Sequence, residues 1–468
     1  MKKLIIIILL FLFPINSWAT INTAITWEVS TTGNQLNGGG FKTGASGADY
    51  STNDNPHLTI TDLVIGADNT TATSALTPFD SNDVGNILHI TAGTNFTVGW
   101  YEVISVNIAV ATLDRACGTA TSTGGTARLG GAMAITGNLA NEFFAQFVAG
   151  NKCYIASGTH TLAEHIDVAN DGTYNLPIMV IGYKTTRTTK ATGDDRPLIA
   201  EANYYFDGDN YWIFQNLRAT SNVNYGIAVG MSGIIENCKA TVGTYGNRYG
   251  ISCLDDYSNI VNCEIDAVVN GGGSSGFRLT RGCCAVSCYL HSASSDNSSN
   301  GIVALYPGVS VIGCAIYSFH HGINCSSSIY NFLLSNCVIS TCNLGIYVGS
   351  DCSAFIIVNN IFDANTTGMS KATSASTDMY FAFNCWNNGA NDVVNLTKGA
   401  TDITANPLLT DASTGDFTVG ITSPCLGVGF PSTLQGATGT YKWNIGVDQD
   451  DNTAAGGGGG GFAFFHND

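Results

Sequence analysis

Apolar and polar residues alternate in short runs along most of the chain, and two phrases recur within residues 213–369. One phrase commonly places Asn before Cys, as in Asn237-Cys238, and the other is Gly followed by an apolar residue, as in Gly250-Ile251. Successive copies of each phrase lie 21 to 26 residues apart. A sustained period of this length is typical of a solenoid, in which each repeat forms one coil.

Each repeat holds three alternating runs of strand length, for example residues 345–348, 355–358 and 361–362, separated by Ser, Asn, Asp and Gly. No run is long enough for a helix. Three short strands per coil predict an all-β fold, a right-handed parallel β-helix, since parallel crossovers are right-handed by default. The Asn before Cys is expected at a left-handed bend between the second and third strands of a coil.

The fifteen cysteines follow the same repeat. Because apolar residues flank them at alternate positions, we expect an inward column in which buried thiols act as small hydrophobic groups. Disulfides between neighbouring coils are the alternative, and an odd total leaves at least one thiol unpaired. The absence of a tight Cys-x-x-Cys pair argues against a metal site in this column. The column contains Cys238, Cys263, Cys288, Cys314 and Cys337.

The N-terminal segment, residues 1–19, combines Lys2-Lys3, an apolar run and a small-x-small ending, which predicts a signal peptide and a secreted or cell-surface protein. No later stretch predicts a transmembrane span. The formal net charge is −17, and it becomes −19 without Lys2 and Lys3. Phosphate binding needs a basic footprint, so this balance argues against a nucleic-acid partner.

The sequence patterns predict that the chain has five parts. They are a signal peptide at residues 1–19, a small β domain at 20–132, the β-helix at 133–400, a C-terminal cap at 401–449 and a Gly-rich flexible tail at 450–468. Residues 25–40 could already supply the first β-helix strand, with the small β domain inserted after it. An amphipathic helix is predicted at about 138–149, with Asn138 as its N-cap, to cover the open end of the solenoid.

The strand at residues 25–33, the glycines at 38–40 and the run 153–159 resemble the opening strands of secreted parallel β-helix proteins of the pectate-lyase-like superfamily. That fold occurs in polysaccharide lyases, polygalacturonases, phage tailspikes and adhesins, so the resemblance leaves function open. It implies that a substrate groove would follow the outward face of the first strand of each coil. The tailspikes also raise a homotrimer as an oligomeric state to test.

The repeat register identifies the residues expected on that face, and Arg278 is the one charged side chain among them. A calcium-dependent lyase needs several carboxylates, and a glycosidase needs two acids facing one bond. The predicted face therefore lacks the equipment of either enzyme. The expected outward residues are Ala228, Ser252, Arg278, Val303, Asn324 and Tyr347, followed by Gly230, Leu254, Thr280, Leu305, Ser326 and Gly349.

A catalytic centre, if the protein is an enzyme, is expected where the longest turns overhang Arg278. Arg278 would act as base or substrate clamp, His291 as proton carrier and Asp296 as acid. Asp255 and Asp256 are the candidate calcium ligands, calcium being the single cofactor considered. The structural alternatives are a salt bridge to a neighbouring arginine and solvated turns.

Tyr289, Asn324 and Tyr347 are the candidate substrate-binding residues. Tyr289 lies on the outward flank of the third strands, which becomes apolar along the axis and could take a sugar ring or a second subunit. The alternative is that the C-terminal segment packs over this flank.

Two functions follow from these patterns. The favoured one is an exported surface, fibre or adhesin-like protein that binds a polysaccharide, a cell-surface glycan or a partner protein without turnover. The alternative is a polysaccharide lyase or glycoside hydrolase acting on an acidic polysaccharide.

Overall fold

The computed structural model describes residues 24–200, 204–221, 225–243, 248–267, 273–293, 298–375, 378–412, 415–429 and 444–447. From Lys152 onward the strands cycle through three parallel sheets. We call the sheet of the Gly-Ile strands the first sheet, the next along the coil the second sheet, and the one after the Asn-Cys bend the third sheet. The predicted right-handed parallel β-helix is confirmed.

The strands of the solenoid follow in chain order, and each set of three enters the second, third and first sheet in turn. The first five sets are β9 (Lys152–Ala156), β10 (Thr159–Thr161), β11 (Ile166–Asp167), β12 (Ile178–Tyr183), β13 (Leu198–Ala200), β14 (Phe206–Gly208), β15 (Trp212–Gln215), β16 (Arg218–Ser221), β17 (Tyr225–Val229), β18 (Ile234–Glu236), β19 (Lys239–Val242), β20 (Tyr249–Cys253), β21 (Asn259–Val261), β22 (Glu264–Ala267) and β23 (Ser275–Leu279).

The remaining sets continue to the end of the solenoid, where β39 joins the third sheet and the last two strands pair with each other. They are β24 (Cys284–Val286), β25 (Tyr289–Ser292), β26 (Asn300–Ala304), β27 (Ser310–Ile312), β28 (Ala315–Tyr317), β29 (His321–Ser327), β30 (Tyr330–Ser335), β31 (Val338–Ser340), β32 (Leu344–Ser350), β33 (Ser353–Val358), β34 (Ile361–Asp363), β35 (Thr367–Lys371), β36 (Met379–Ala382), β37 (Cys385–Asn387), β38 (Asn391–Val394), β39 (Ile403–Thr404), β40 (Leu409–Asp411) and β41 (Asp416–Val419).

The bend between the second and third sheets has the predicted left-handed backbone. Asn216, Asn237 and Asn262 have φ of 58°, 51° and 51°. Their amides also bond along the axis, since Asn237 Nδ2 donates to Asn216 Oδ1 at 2.6 Å. The recurring Asn therefore both permits the bend and satisfies its neighbour one coil away.

The predicted cysteine column lies inside the solenoid. Its thiols are at most 2% exposed and are free, so the described coils are not bridged by disulfides. The backbone N–H of Cys314 donates to Cys337 Sγ at 3.4 Å. One coil later an asparagine takes over, and the N–H of Cys337 donates to Asn360 Oδ1 at 2.9 Å. The backbone N–H groups at this repeat position therefore find an acceptor in the next coil, first a cysteine sulfur and then an asparagine oxygen.

A closed antiparallel barrel occupies the chain between the first strand of the solenoid and β9. Strand β1 pairs in parallel with β9, so the chain enters the second sheet before it forms the barrel. The barrel order is β3-β4-β7-β6-β5-β8. The strands before β9 are β1 (Thr26–Val29), β2 (Gly40–Phe41), β3 (Leu58–Ile65), β4 (Thr71–Thr73), β5 (Ile87–Ala92), β6 (Gly99–Asn107), β7 (Val110–Leu113) and β8 (Ser122–Leu129).

A buried ion pair ties the loop before the barrel to the solenoid. Glu28 is 1% exposed, and Arg187 Nε donates to its Oε2 at 2.7 Å. The same guanidinium reaches Asp49 at 3.0 Å and Ser51 Oγ at 2.8 Å. Burial raises the pKa of Glu28, and the hydroxyl of Tyr183 and the Arg187 charge oppose that shift.

The capping helix is shorter than the predicted 138–149. Helix α1 spans Ala140–Phe144, and its N-cap is Leu139 rather than Asn138. The side chain of Leu139 cannot cap the helix, but Glu164 Oε1 accepts from the Asn141 N–H at 2.9 Å. The predicted role in covering the interior nevertheless matches its contacts. Phe147, just after the helix, stacks between Trp27 and Trp212 at 5.3 Å and 6.1 Å between ring centroids. Two short 3-10 turns occur at Ser81–Asp83 and Gly193–Asp195.

The C-terminal segment packs on the outward flank of the third sheet. Phe417 and Ile445 belong to one buried cluster with Val338 and Ile361. This was the structural alternative for the apolar flank. Among the described residues, no helix is long and apolar enough to cross a membrane.

Candidate functional site

The outward face of the first sheet is set by an unbroken register. Phe206, Ile227, Ile251 and Phe277 pair in sequence and point inward, where all four are fully buried. The residue after each of them therefore faces outward. That outward column reads Asp207, Ala228, Ser252, Arg278, Val303, Asn324, Tyr347 and Ser370.

The side chain of Arg278 extends along this face toward the N-terminal coils. Its Nη1 donates to Tyr225 Oη at 3.0 Å, and its guanidinium carbon is 5.8 Å from the ring centroids of both Tyr225 and Tyr249. Ala228 and Ser252, which separate Arg278 from Asp207 in the column, are fully buried. The arginine is thus held by two tyrosine rings and directed at the coils that carry carboxylates.

Two aspartates stand side by side at the N-terminal end of the face. Asp167 of β11 pairs with Asp207 of β14, which places both carboxylates outward on neighbouring strands roughly 4.8 Å apart. Tyr205 Oη donates to Asp167 Oδ2 at 3.2 Å. Burial, followed by the nearby Asp167 charge, raises the pKa of Tyr205 to about 12, so its hydroxyl keeps the proton that it donates.

The pKa of Asp207 is raised from 3.8 to about 7. Burial is the largest cause, the charges of Asp167, Asp209 and Asp255 add to it, and Arg278 opposes it. A carboxyl group with this pKa exists in both protonation states near neutral pH. It can therefore give or take a proton in a reaction, as catalytic carboxyl groups do.

Local sequence explains how Asp207 reaches this position. In Phe206-Asp207-Gly208 the burial alternates, with Phe206 inside and Asp207 partly exposed. A side chain at Gly208 would strike the Trp212 ring, since a Cβ there would lie 2.7 Å from the ring. Glycine therefore lets Trp212 close over the strand end, and the alternation places the carboxyl outside.

The two predicted calcium ligands, Asp255 and Asp256, contact different residues. Asp256 Oδ2 pairs with Arg281 Nη1 at 3.5 Å, with side chains 35% and 57% exposed. Asp255 is exposed, its backbone carbonyl accepts from Thr280 Oγ1 at 2.6 Å, and its charge acts on Asp207. The described residues contain no group of three or more His, Cys, Asp or Glu side chains that could hold a metal ion.

The structure places the predicted catalytic residue His291 away from the first-sheet face. His291 lies on the third sheet, where its ring stacks on Tyr317 at 4.3 Å and its Nδ1 is 3.8 Å from Asp266 Oδ1. Burial lowers the pKa of His291 even though Asp266 opposes that effect. Asp296 lies outside the described residues. Arg278 shares the outward column of Asp207, three strand spacings away, and its charge opposes the raised pKa of that carboxyl group.

The predicted substrate-binding residues are also separated. Tyr289 is on the third sheet, where its ring lies 6.3 Å from that of Phe417 and the C-terminal segment packs against it. Asn324 and Tyr347 lie on the outward face of the first sheet, in neighbouring strands of the same column as Arg278. The first-sheet face therefore joins three of the predicted residues.

Sequence reasoning missed Asp167 and Asp207, and its expectation that this face lacks carboxylates was wrong. The expected face began at Ala228 because the Gly-Ile phrase first occurs there. Strands β11 and β14 belong to the same sheet but lack that phrase. The alternation in Tyr205-Phe206-Asp207, aligned with Ile227 and Ala228, was the available signal.

No family model and no curated protein matches the chain. Among solved structures it is similar to pectate lyase Pel9A, with 14% identity over 66% of this chain and 90% of that chain and a TM-score of 0.41. It is also similar to a rhamnogalacturonan lyase, with 12% identity over 55% of this chain and 80% of that chain and a TM-score of 0.39. The similarity to the Azotobacter vinelandii mannuronan C-5 epimerase AlgE4 A-module has 10% identity over 58% of this chain and 95% of that chain and a TM-score of 0.30. The parallel β-helix that the sequence predicts is shown by the sheet topology of the chain itself.

Proposed function

We propose that the protein is an exported glycan-acting enzyme that hydrolyses a glycosidic bond at Asp167 and Asp207. The observation that carries the proposal is the register pair of carboxylates on the outward face of the first sheet. Two acidic side chains beside one bond are the usual equipment of a glycosidase. The pKa of about 7 at Asp207 supports the role of proton donor for that residue.

The reaction follows from the two roles. The close spacing of the pair fits a double displacement. Protonated Asp207 gives its proton to the bridging oxygen while a carboxylate oxygen of Asp167 bonds to the anomeric carbon and the bond from that carbon to the bridging oxygen breaks. A water molecule then bonds to the same carbon and releases Asp167, and the carboxylate of Asp207 takes the proton that this water gives up. Arg278, held by Tyr225, is placed to hydrogen-bond the sugar beside the cleaved bond.

The local charge favours an uncharged glycan at this position. Four aspartates, counting Asp209 and Asp255 with the pair, interact with one another around a single arginine. A uronate carboxylate would add a further negative charge to this cluster. This differs from the sequence-based alternative, which assigned an acidic polysaccharide.

A second candidate function is binding without turnover, as an exported surface, fibre or adhesin-like module. It is favoured by the face beyond Arg278, where Val303, Asn324 and Tyr347 supply contacts but neither a carboxylate nor a basic group. In that case the protein would retain the polysaccharide, and light scattering would test whether it does so as a homotrimer.

The test is a panel of neutral and uronate polysaccharides incubated with the full chain, with and without calcium. New reducing ends without unsaturated products are expected, and Asp207→Asn should abolish them. Asp256→Asn, one of the partly exposed carboxylates nearby, is the matched control and should keep the activity. Unsaturated products would identify a lyase and refute hydrolysis, while retention of a glycan without any product would support the binding candidate.

A further inference from the structure

The middle of the first sheet carries a second polar cluster that the proposed chemistry does not use. We call it the amide–histidine cluster, and its members are Asn300, His321, Asn324 and Tyr347. Asn324 lies two coils from Arg278 in the outward column, and Asn300 pairs with His321 in the column beside it. Each of the four side chains is at or next to the surface of the face that also carries Asp207.

Asn300 is the centre of the hydrogen bonds in this cluster. Its Nδ2 donates to Ser275 Oγ at 3.2 Å, which fixes the orientation of the amide. Its Oδ1 accepts from Asn324 Nδ2 at 3.0 Å and lies 3.0 Å from His321 Nδ1. Because an amide oxygen can only accept, His321 Nδ1 must carry the ring proton.

This tautomer leaves His321 Nε2 as an acceptor. Burial, followed by the neighbouring His320, lowers the pKa of His321 to about 4, so the ring is neutral above about pH 5. The ring stacks on Tyr347, with centroids 5.4 Å apart and an angle of 19° between the planes. The stack holds the imidazole in place while its free nitrogen offers a lone pair.

Asn324 supplies a second acceptor. Its Nδ2 is used by Asn300, and its Oδ1 is buried without a hydrogen-bond partner among the described residues. A buried carbonyl without a donor costs about 1 to 3 kcal/mol. A donor that reached this oxygen, directly or through one water molecule, would recover that energy.

We propose that the amide–histidine cluster binds an uncharged, hydroxyl-rich sugar residue, whose hydroxyls donate to His321 Nε2 and, through one water molecule, to Asn324 Oδ1 beside the Tyr347 ring. The two free groups are both acceptors and neither carries a charge. A sugar hydroxyl can donate to them, whereas a uronate carboxylate can only accept and would leave both acceptors without a donor. At these two acceptors the cluster therefore favours sugar hydroxyls over carboxylates.

This inference rests on the proposed function for the glycan that lies along the face. Asp207 and Asn324 are separated by five strand spacings, which is about 24 Å along the axis. A chain of several sugar units is needed to contact both. The cluster thus acts as a distant subsite, and longer oligosaccharides should gain more from it than short ones.

The experiment measures binding and so does not require turnover. In an Asp207→Asn background, isothermal titration would compare neutral gluco-, manno- and galacto-oligosaccharides with hexuronate oligosaccharides. We expect at least one long neutral oligosaccharide to bind, with hexuronates at least tenfold weaker. His321→Phe keeps the ring stack and removes Nε2, and it should lower that affinity at least tenfold.

Tyr347→Leu is a second variant, which should weaken binding even if His321→Phe does not fold. Ser370→Ala, at the next outward position, is the control and should bind within twofold of the parent. Unchanged affinity in the folded variants, preferred binding of hexuronates, or no binding of any sugar on the panel would overturn the proposal. Binding that depends on His321 without any hydrolysis by the wild type would refute the proposed function and leave this subsite standing.

Discussion

Replacement of Asp207 by Asn should make the protein inactive but more stable at alkaline pH. The folded protein holds the Asp207 proton up to a pKa of about 7, whereas the unfolded chain releases it near 3.8. Between these values the folded state binds more protons, so the free energy of unfolding falls as pH rises. The contribution of Asp207 is fully retained below about pH 4 and is lost as pH passes 7.

The size of the effect follows from the two pKa values. Their difference corresponds to about 4 kcal/mol at most, since one pKa unit is worth 1.36 kcal/mol. Asp207 is partly exposed, and solvent screens part of its interactions, so we expect about 2 to 3 kcal/mol. Asn cannot ionise, and the variant should exceed the wild type by this amount at pH 8 and match it at pH 4.

Urea unfolding followed by tryptophan fluorescence would measure the difference at several pH values, with the slope compared between proteins. Trp212 is a convenient reporter because its ring lies against Gly208, next to Asp207. Asp256→Asn serves as the control, since its partly exposed carboxylate pairs with an exposed Arg281 and should contribute little. A wild-type-minus-variant difference that does not change with pH would refute the assignment of a neutral pKa to Asp207.

Two further predictions use the same measurements. Asp167→Asn should lower the pH at which the Asp207-dependent stability is lost, because it removes a like charge, and Arg278→Gln should raise that pH, because it removes an opposite charge. Shifts in the same direction for the two variants would contradict the assignment of these charges as causes of the raised Asp207 pKa. Asn360→Leu should destabilise the protein by roughly 2 kcal/mol, because the N–H of Cys337 loses its acceptor, whereas Asn360→Cys should cost less; equal urea midpoints for the two variants would exclude that explanation.

The regular coils could be predicted because each repeat has the same residue types at the same structural positions. Asn237 and Gly250 occupy a bend and an inward corner where few other residues fit, so their recurrence fixed both period and register. The cysteine column followed from that register. The barrel order and the short helix α1 could not be derived in this way, because neither repeats and both depend on contacts distant in sequence.

Only part of the candidate site could be predicted from the sequence, for a related reason. Arg278 lies on a regular strand and was found, but its partners lie on coils whose strands shrink to two or three residues, as at Ile166–Asp167. The coil of Asp207 also carries a long loop between β12 and β13, at residues 184–197, which hides the period. The sequence analysis assigned His291 to the centre because it begins a long turn expected to overhang Arg278, although His291 faces outward from a different sheet.

The stacking of identical positions explains why the pair of aspartates is informative. A parallel solenoid places register partners roughly 4.8 Å apart, so any residue type that recurs is brought against itself. Amides and thiols benefit from this, as in the bond from Asn237 to Asn216. Two carboxylates do not, because their charges repel. Burial, and after it the charge of Asp167, keeps the proton on Asp207 up to about pH 7. The amide and thiol ladders stabilise the fold, whereas this pair of carboxylates costs stability. That local cost is the physical ground for proposing a function at the Asp167–Asp207 pair.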